Sequence, residues 1–221
     1  MTTIFVTSWQ IARGRANDVL AQVATAREIQ RRHGFGVSAW RGVVTGGEAA
    51  DLWYVMISAG IDEHFQQVLA LQADAEWQEF VASSIDVADP AATLLSDALW
   101  RTSPDLPEVV LIPSKLSPQA QLVTNYAPMG PDQRAFFASS IPHAASILQR
   151  HGLHSGFADA MVAGPRTGMV SSVVSAPSLT DLSKGIAALQ DDADWLAYQR
   201  DMATRRDRPE LVSRMIRQEI M

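Results

Sequence analysis

The chain contains no cysteine. Disulfides, cysteine-ligated zinc, iron–sulfur clusters and thiol nucleophiles are therefore excluded. Basic runs are nearly as scarce. The longest are Arg31-Arg32 and Arg205-Arg206, with Arg208 close by, in a chain of formal net charge −6. A phosphate backbone needs a clustered cationic face, so nucleic acid is not an expected partner. No apolar stretch approaches the roughly 20 residues that cross a bilayer, and the opening MTTIFVTSWQ carries neither a basic n-region nor an apolar h-region. A soluble, cytoplasmic protein without membrane association is expected. Also missing are a G-x-G-x-x-G turn, a Walker A loop, a G-x-S-x-G elbow and an H-E-x-x-H helix, and no two histidines stand four apart. No cofactor and no metal are expected from motifs.

What the chain does have is 47% apolar against 19% charged residues, ordinary for a globular protein with a real core. Its 221 residues suit one large domain or two of about 100 each. The second choice is favoured by an internal repeat. ALQADAEW at residues 70–77 returns as ALQDDADW at 188–195, with six of eight positions identical and an offset of 118. Arg32-His33-Gly34 returns as Arg150-His151-Gly152 at the same offset; Val6-Thr7 and Leu94-Leu95-Ser96 return at an offset of 117 as Val123-Thr124 and Leu211-Val212-Ser213. Chance matches do not hold register over such a length.

Each copy reads as β-α-β-β-α-β. Short β-rich runs at 3–9 and 121–127 are followed by helices at about 15–33 and 132–151, each ending at Gly34 or Gly152. Strands are expected at about 36–45 and 51–59, and at 154–163 and 168–176, with turns at Gly46-Gly47 and Gly164-Pro165. Helical regions at about 61–83 and 179–203 break near Asp74 and Asp192, and final strands fall at about 93–102 and 210–219. This split βαβ order gives a four-stranded antiparallel sheet with helices on one face only, so the bare face must be covered. The expected fold is α+β, two tandem ferredoxin-like repeats packed sheet to sheet: 1–102, a linker at 103–120, and 121–221. The linker carries four prolines and a Val109-Val110-Leu111-Ile112 run that offers an added edge strand.

Tandem ferredoxin-like repeats whose second helix carries Trp77-Gln78-Glu79-Phe80 and Trp195-Leu196-Ala197-Tyr198 resemble the dimeric α+β barrel superfamily, with its fused-repeat, NIPSNAP-like branch as the nearest. The resemblance spans nearly the whole chain and implies fold more than activity. The superfamily includes cofactor-free monooxygenases acting on aromatic polyketides, lactone isomerases, haem peroxidases and proteins without known chemistry.

The repeat also sorts candidate residues: those shared by both halves are structural candidates, those confined to one half are site candidates. His33 and His151 are shared and lie one residue before a helix-ending glycine, where the helix dipole favours a basic group. Trp77 and Trp195 are shared and read as core anchors. His64 stands alone and reads as a surface residue. In the first half Trp9, Trp40, Trp53 and Tyr54 answer to Tyr126, Ala158, Ser171 and Ser172 in the second. That contrast reads either as complementary packing or as an aromatic pocket for a flat apolar ligand, with Trp9, Trp40, Tyr54 and Tyr126 as its substrate-binding candidates. In the second half Pro142 falls within a helix, His143 replaces Thr25, His154 replaces Gly36 and Asp159 replaces Arg41. A histidine beside the Pro142 kink with an aspartate on a facing strand would make a general base and its orienter, so His143, His154 and Asp159 are the catalytic candidates. Together with the resemblance, these residues imply a small-molecule enzyme of secondary metabolism: a cofactor-independent monooxygenase, or an isomerase or cyclase, with a small apolar or aromatic ligand as partner. The alternatives are a non-catalytic ligand-binding or scaffold protein and a haem protein with one axial histidine; homodimerisation is compatible with each.

Overall fold

The computed structural model describes residues 1–45, 49–107 and 119–220. The expected Gly46-Gly47 turn and the edge strand at Val109–Ile112 lie outside the described residues. The first repeat comprises β1 (Thr3–Ile11), α1 (Ala16–Arg32), β2 (Gly36–Val44), β3 (Leu52–Ser58), α2 (Ile61–Gln72), α3 (Ala75–Ser84) and β4 (Ala92–Thr102). The second comprises β5 (Ala120–Tyr126), α4 (Pro131–Arg150), β6 (His154–Val162), a 3-10 turn (Gly164–Arg166), β7 (Val170–Ala176), α5 (Leu179–Leu189), α6 (Ala193–Thr204) and β8 (Leu211–Ile220).

The eight strands close into one antiparallel barrel in the order β1-β3-β2-β8-β5-β7-β6-β4. Each repeat supplies one four-stranded sheet, and the sheets join edge to edge through β2·β8 and β4·β6. Closure leaves no free sheet edge and turns the bare faces toward each other across the lumen. The strands bend at repeat-equivalent irregularities, between Ser8 and Trp9 in β1·β4 and between Asn125 and Tyr126 in β5·β8. Bulges of this kind let a strand curve toward closure.

Strand alternation divides every sheet into a lumen set and a helix set. In β3, Trp53 and Val55 enter the lumen cluster, while Leu52, Tyr54 and Met56 pack beneath the helices. Trp40, Trp53 and Trp100 from the first repeat meet Ala158, Ala160, Met169 and Val173 from the second. Large side chains against small ones fill the lumen except for a cavity of about 70 Å³. That space is too small for an aromatic ligand, since an apolar cavity of about 150 Å³ is what holds benzene.

The repeated motif has a local cause. Asp74 is the N-cap of α3, its Oδ1 accepting from the backbone N–H of Glu76 at 2.8 Å and of Trp77 at 3.2 Å. Asp192 caps α6 in the same way, accepting from the Trp195 N–H at 2.9 Å. The other carboxylate oxygen of each meets the histidine that caps the first helix of its repeat: His33 Nε2 to Asp74 at 2.8 Å, His151 Nε2 to Asp192 at 2.8 Å. One aspartate thus starts a helix and ties it to the end of another. Helix α4 runs through Pro142 as α-helix throughout.

Hydrogen bonds from His33 and His151, with the N-cap N–H groups behind them, hold Asp74 and Asp192 well below the usual carboxylate range. A depressed native pKa stabilises the fold above the unfolded value of about 3.9 and is lost as pH falls through the native one. The melting temperature is therefore expected to fall as pH drops below about 4. In Asp74→Asn/Asp192→Asn protein it should be lower at pH 7 and less sensitive to acid. Parallel melting curves for the two proteins from pH 7 to 3 would show that the clamps do not stabilise the fold.

Candidate functional site

Each sheet leaves a cavity between its outer face and its helices. The first-repeat cavity, about 190 Å³, lies under α1 and α3 and includes Phe5, Trp9, Tyr54, Met56, Trp77 and Phe80 in its walls. The second-repeat cavity, about 210 Å³, lies under α4 and α6 and has an aromatic wall of Tyr126, Phe137, Phe157, Trp195 and Tyr198. The mouths are built alike. Trp77 stacks on Phe80 with ring centres 5.4 Å apart, and Trp195 stacks on Tyr198 at 5.6 Å. Both tryptophans are half-buried covers of a cavity rather than the core anchors expected. Each space exceeds the roughly 150 Å³ that holds benzene, so each has room for one substituted ring or a small fused pair.

The cavities differ in what their polar groups do. In the first, the Tyr54 hydroxyl donates to Gln30 Oε1 at 2.5 Å and the Trp9 indole donates to Thr7 Oγ1 at 2.7 Å. Burial pushes the Tyr54 hydroxyl pKa far up, keeping it a neutral donor. These groups satisfy one another. In the second, Thr124, Ser155, Ser172, Gln190, Gln199 and Arg214 all line the space, and none has a side-chain hydrogen bond among the described residues. Thr124 and Ser172 are buried and Ser155 is half-buried, while Gln190, Gln199 and Arg214 stand exposed at the rim; all of them face the space a ligand would fill. The difference follows from substitution at repeat-equivalent positions: Val37 becomes Ser155, Tyr54 becomes Ser172, Val81 becomes Gln199, and Asp97 becomes Arg214.

The predicted site residues are distributed unevenly over this architecture. Tyr126 lines the second cavity, Trp9 and Tyr54 the first. Trp40 is a correction. It is 1% exposed in the lumen cluster, on the opposite face of the sheet from Tyr54, so the two cannot share a pocket. Register explains this: Trp40 pairs with Trp53 across β2·β3, and Tyr54, the next residue, points the other way.

The structure does not bring His143, His154 and Asp159 together. Asp159 accepts from Arg134 Nη1 at 2.6 Å and Nη2 at 3.0 Å, and from the Ser103 hydroxyl at 2.9 Å. Arg134 also binds Asp105, and the two carboxylates hold the guanidinium firmly charged. His143 lies nine positions after Arg134 along α4, about 13 Å of rise at about 1.5 Å per residue. His143 is exposed, its ring 6.2 Å from that of Tyr198, on the outer side of the second cavity. His154 is exposed at the first residue of β6, and an odd separation places it on the other face of the strand from Asp159. His64 is also a correction. It is 3% exposed among Phe5, Phe35 and Phe65, within 3.1 Å of the Ser58 hydroxyl, and burial lowers its pKa.

Solved structures superimpose on nearly the whole of this chain. A candidate monooxygenase from Fusobacterium nucleatum superimposes with a TM-score of 0.61 at 9% identity, over 99% of this chain and 91% of that one. A second candidate monooxygenase, from Lactobacillus acidophilus, gives 0.59 at 7% identity over 99% and 93%. A chlorite dismutase mutant from Candidatus Nitrospira defluvii gives 0.55 at 9% identity over 100% and 92%. The chain has the dimeric α+β barrel fold. No protein-family profile and no curated protein matches it in sequence. In this dimeric α+β barrel neither helix-side cavity is lined by a histidine, so the residues present do not fit a haem held by an axial imidazole. Among the described residues no three His, Asp or Glu side chains are grouped to hold a metal ion. No helix of the described residues is long and apolar enough to cross a membrane.

Proposed function

We propose that the second-repeat cavity is the active site of a small-molecule enzyme carrying out cofactor-independent oxygenation of a phenol-type aromatic substrate. The observation that carries this reading is the set of unbonded hydroxyl and amide groups of Thr124, Ser155, Ser172, Gln190 and Gln199 over an aromatic wall, where the first cavity offers the Ser84 hydroxyl in their place. Such a pocket orients a flat substrate through a few polar contacts and keeps water from the reacting carbon. The ionised substrate gives one electron to dioxygen, the two radicals combine as a peroxide anion, a proton from solvent at the cavity mouth makes it a hydroperoxide, and loss of water leaves a carbonyl. One oxygen atom enters the product and the other leaves as water. Tyr126 and Gln199 hold the substrate oxygens, and Trp195 with Tyr198 covers the ring. Burial raises the Tyr126 hydroxyl pKa, so it acts as a hydrogen-bond donor and not as a base.

Oxygen uptake and ¹⁸O₂ incorporation with hydroxylated naphthalenes and anthrones test the reading. One labelled atom per product is expected, with kcat/KM falling about tenfold in Tyr126→Phe and in Gln199→Leu, the worth of one net hydrogen bond. No labelled product from any of these compounds would remove the oxygenase assignment. A second reading, a non-catalytic binding protein, is favoured by one feature: no carboxylate or imidazole lines the cavity to serve as a base. That protein would bind the same ligands without consuming oxygen.

A further inference from the structure

Arg214 lies on the helix-facing side of β8 and lines the second cavity at its exposed rim. Among the described residues it forms no ion pair, and no aspartate or glutamate lines the cavity with it. The other polar lining groups are neutral: hydroxyls of Thr124, Ser155 and Ser172, and amides of Gln190 and Gln199. The positive field reaches inward, since the Arg214 charge opposes the rise that burial imposes on the Tyr126 hydroxyl. The equivalent position of the first repeat, Asp97, carries the opposite charge and does not line the first cavity. A cation at the mouth of an aromatic, acid-free pocket complements one kind of ligand, a flat ring bearing an oxyanion.

We infer that the second cavity selects aromatic anions, the ring lying against Tyr126, Phe137 and Trp195 and the ring-borne oxyanion meeting Arg214. This rests on the same cavity being the ligand site, but not on turnover. Carboxylate and phenolate share the chemistry; a fixed cation favours either over the neutral form, and for a phenol it also favours ionisation.

Binding of 2-naphthoate and of its neutral amide, 2-naphthamide, followed by tryptophan fluorescence and calorimetry, tests the inference. Wild-type protein should bind naphthoate at least tenfold more tightly than the amide, and added salt should weaken naphthoate alone. In Arg214→Gln the preference should vanish with amide affinity unchanged, and in Arg214→Lys it should partly return. Absorbance of bound 2-naphthol should show ionisation at lower pH in wild type than in Arg214→Gln if phenolates are also taken; no such difference restricts the site to carboxylates. Equal affinity for acid and amide, or a preference that survives Arg214→Gln, overturns the charge selection alone. If neither probe binds, or both bind undiminished when Ser172→Tyr fills the cavity, the ligand-site reading falls with it.

Discussion

Replacing Trp40 with alanine is expected to lower stability by about 3–5 kcal/mol, the usual range for a large aromatic removed from a packed interior. Trp40 is 1% exposed in the barrel lumen, its indole N–H donates to Ser38 Oγ at 2.9 Å, and the Arg217 guanidinium lies 5.0 Å above its ring. Across the lumen stand Ala158 and Ala160, side chains too short to move into the vacated space. Arg217 would lose its aromatic face as well, a contact worth roughly 0.5–2 kcal/mol. For a chain of this size about 2–4 °C accompanies each kcal/mol, so the melting temperature should drop by roughly 6–20 °C. Calorimetry or thermal circular dichroism measures it. A drop of only a degree or two would mean that the lumen collapses around the gap and that bulky-against-small packing is not what holds the two sheets together.

Ser172→Tyr should abolish ligand binding, by a factor of at least about 100, while leaving the fold in place. Ser172 faces the second cavity from β7, between Thr124 on β5 and Phe157 on β6. Its first-repeat equivalent, Tyr54, shows that this sheet position accepts a phenol ring pointing under the helices. There the hydroxyl is satisfied by Gln30, whereas the corresponding residue of the second repeat is Leu148. Without a counterpart of Gln30 to hold it against the sheet, the introduced ring projects into the 210 Å³ space. Titration of the variant with naphthoate, beside its melting curve, separates blocking from unfolding. Affinity within threefold of wild type would place the ligand somewhere else.

The duplication, the element order and the breaks at Asp74 and Asp192 were legible because each has a local cause: periodicity, turn glycines, and an aspartate at a helix start. The site was legible only in part. Sorting residues by which repeat carries them pointed to Tyr126, but it gave no sheet face, so Trp40 was grouped with Tyr54 although pairing of Trp40 with Trp53 puts them on opposite sides. The same sorting applied to polar positions would have found Arg214 against Asp97 and Gln199 against Val81. The Asp159–Arg134–Asp105 network was not readable, because it joins a strand, a helix and the segment after β4 that only the fold brings together. His64 misled for a similar reason: Phe5 and Phe35, which bury it, come from distant strand and turn positions.

Joining both halves of the barrel on one polypeptide frees them from each other in evolution. Where two identical subunits close such a ring, every substitution appears twice, and a change that opens one chamber must open both. Here Tyr54, bonded to Gln30, stands in one chamber while serine stands at the matching place in the other. One half can keep the frame rigid, and the other is at liberty to acquire a guest.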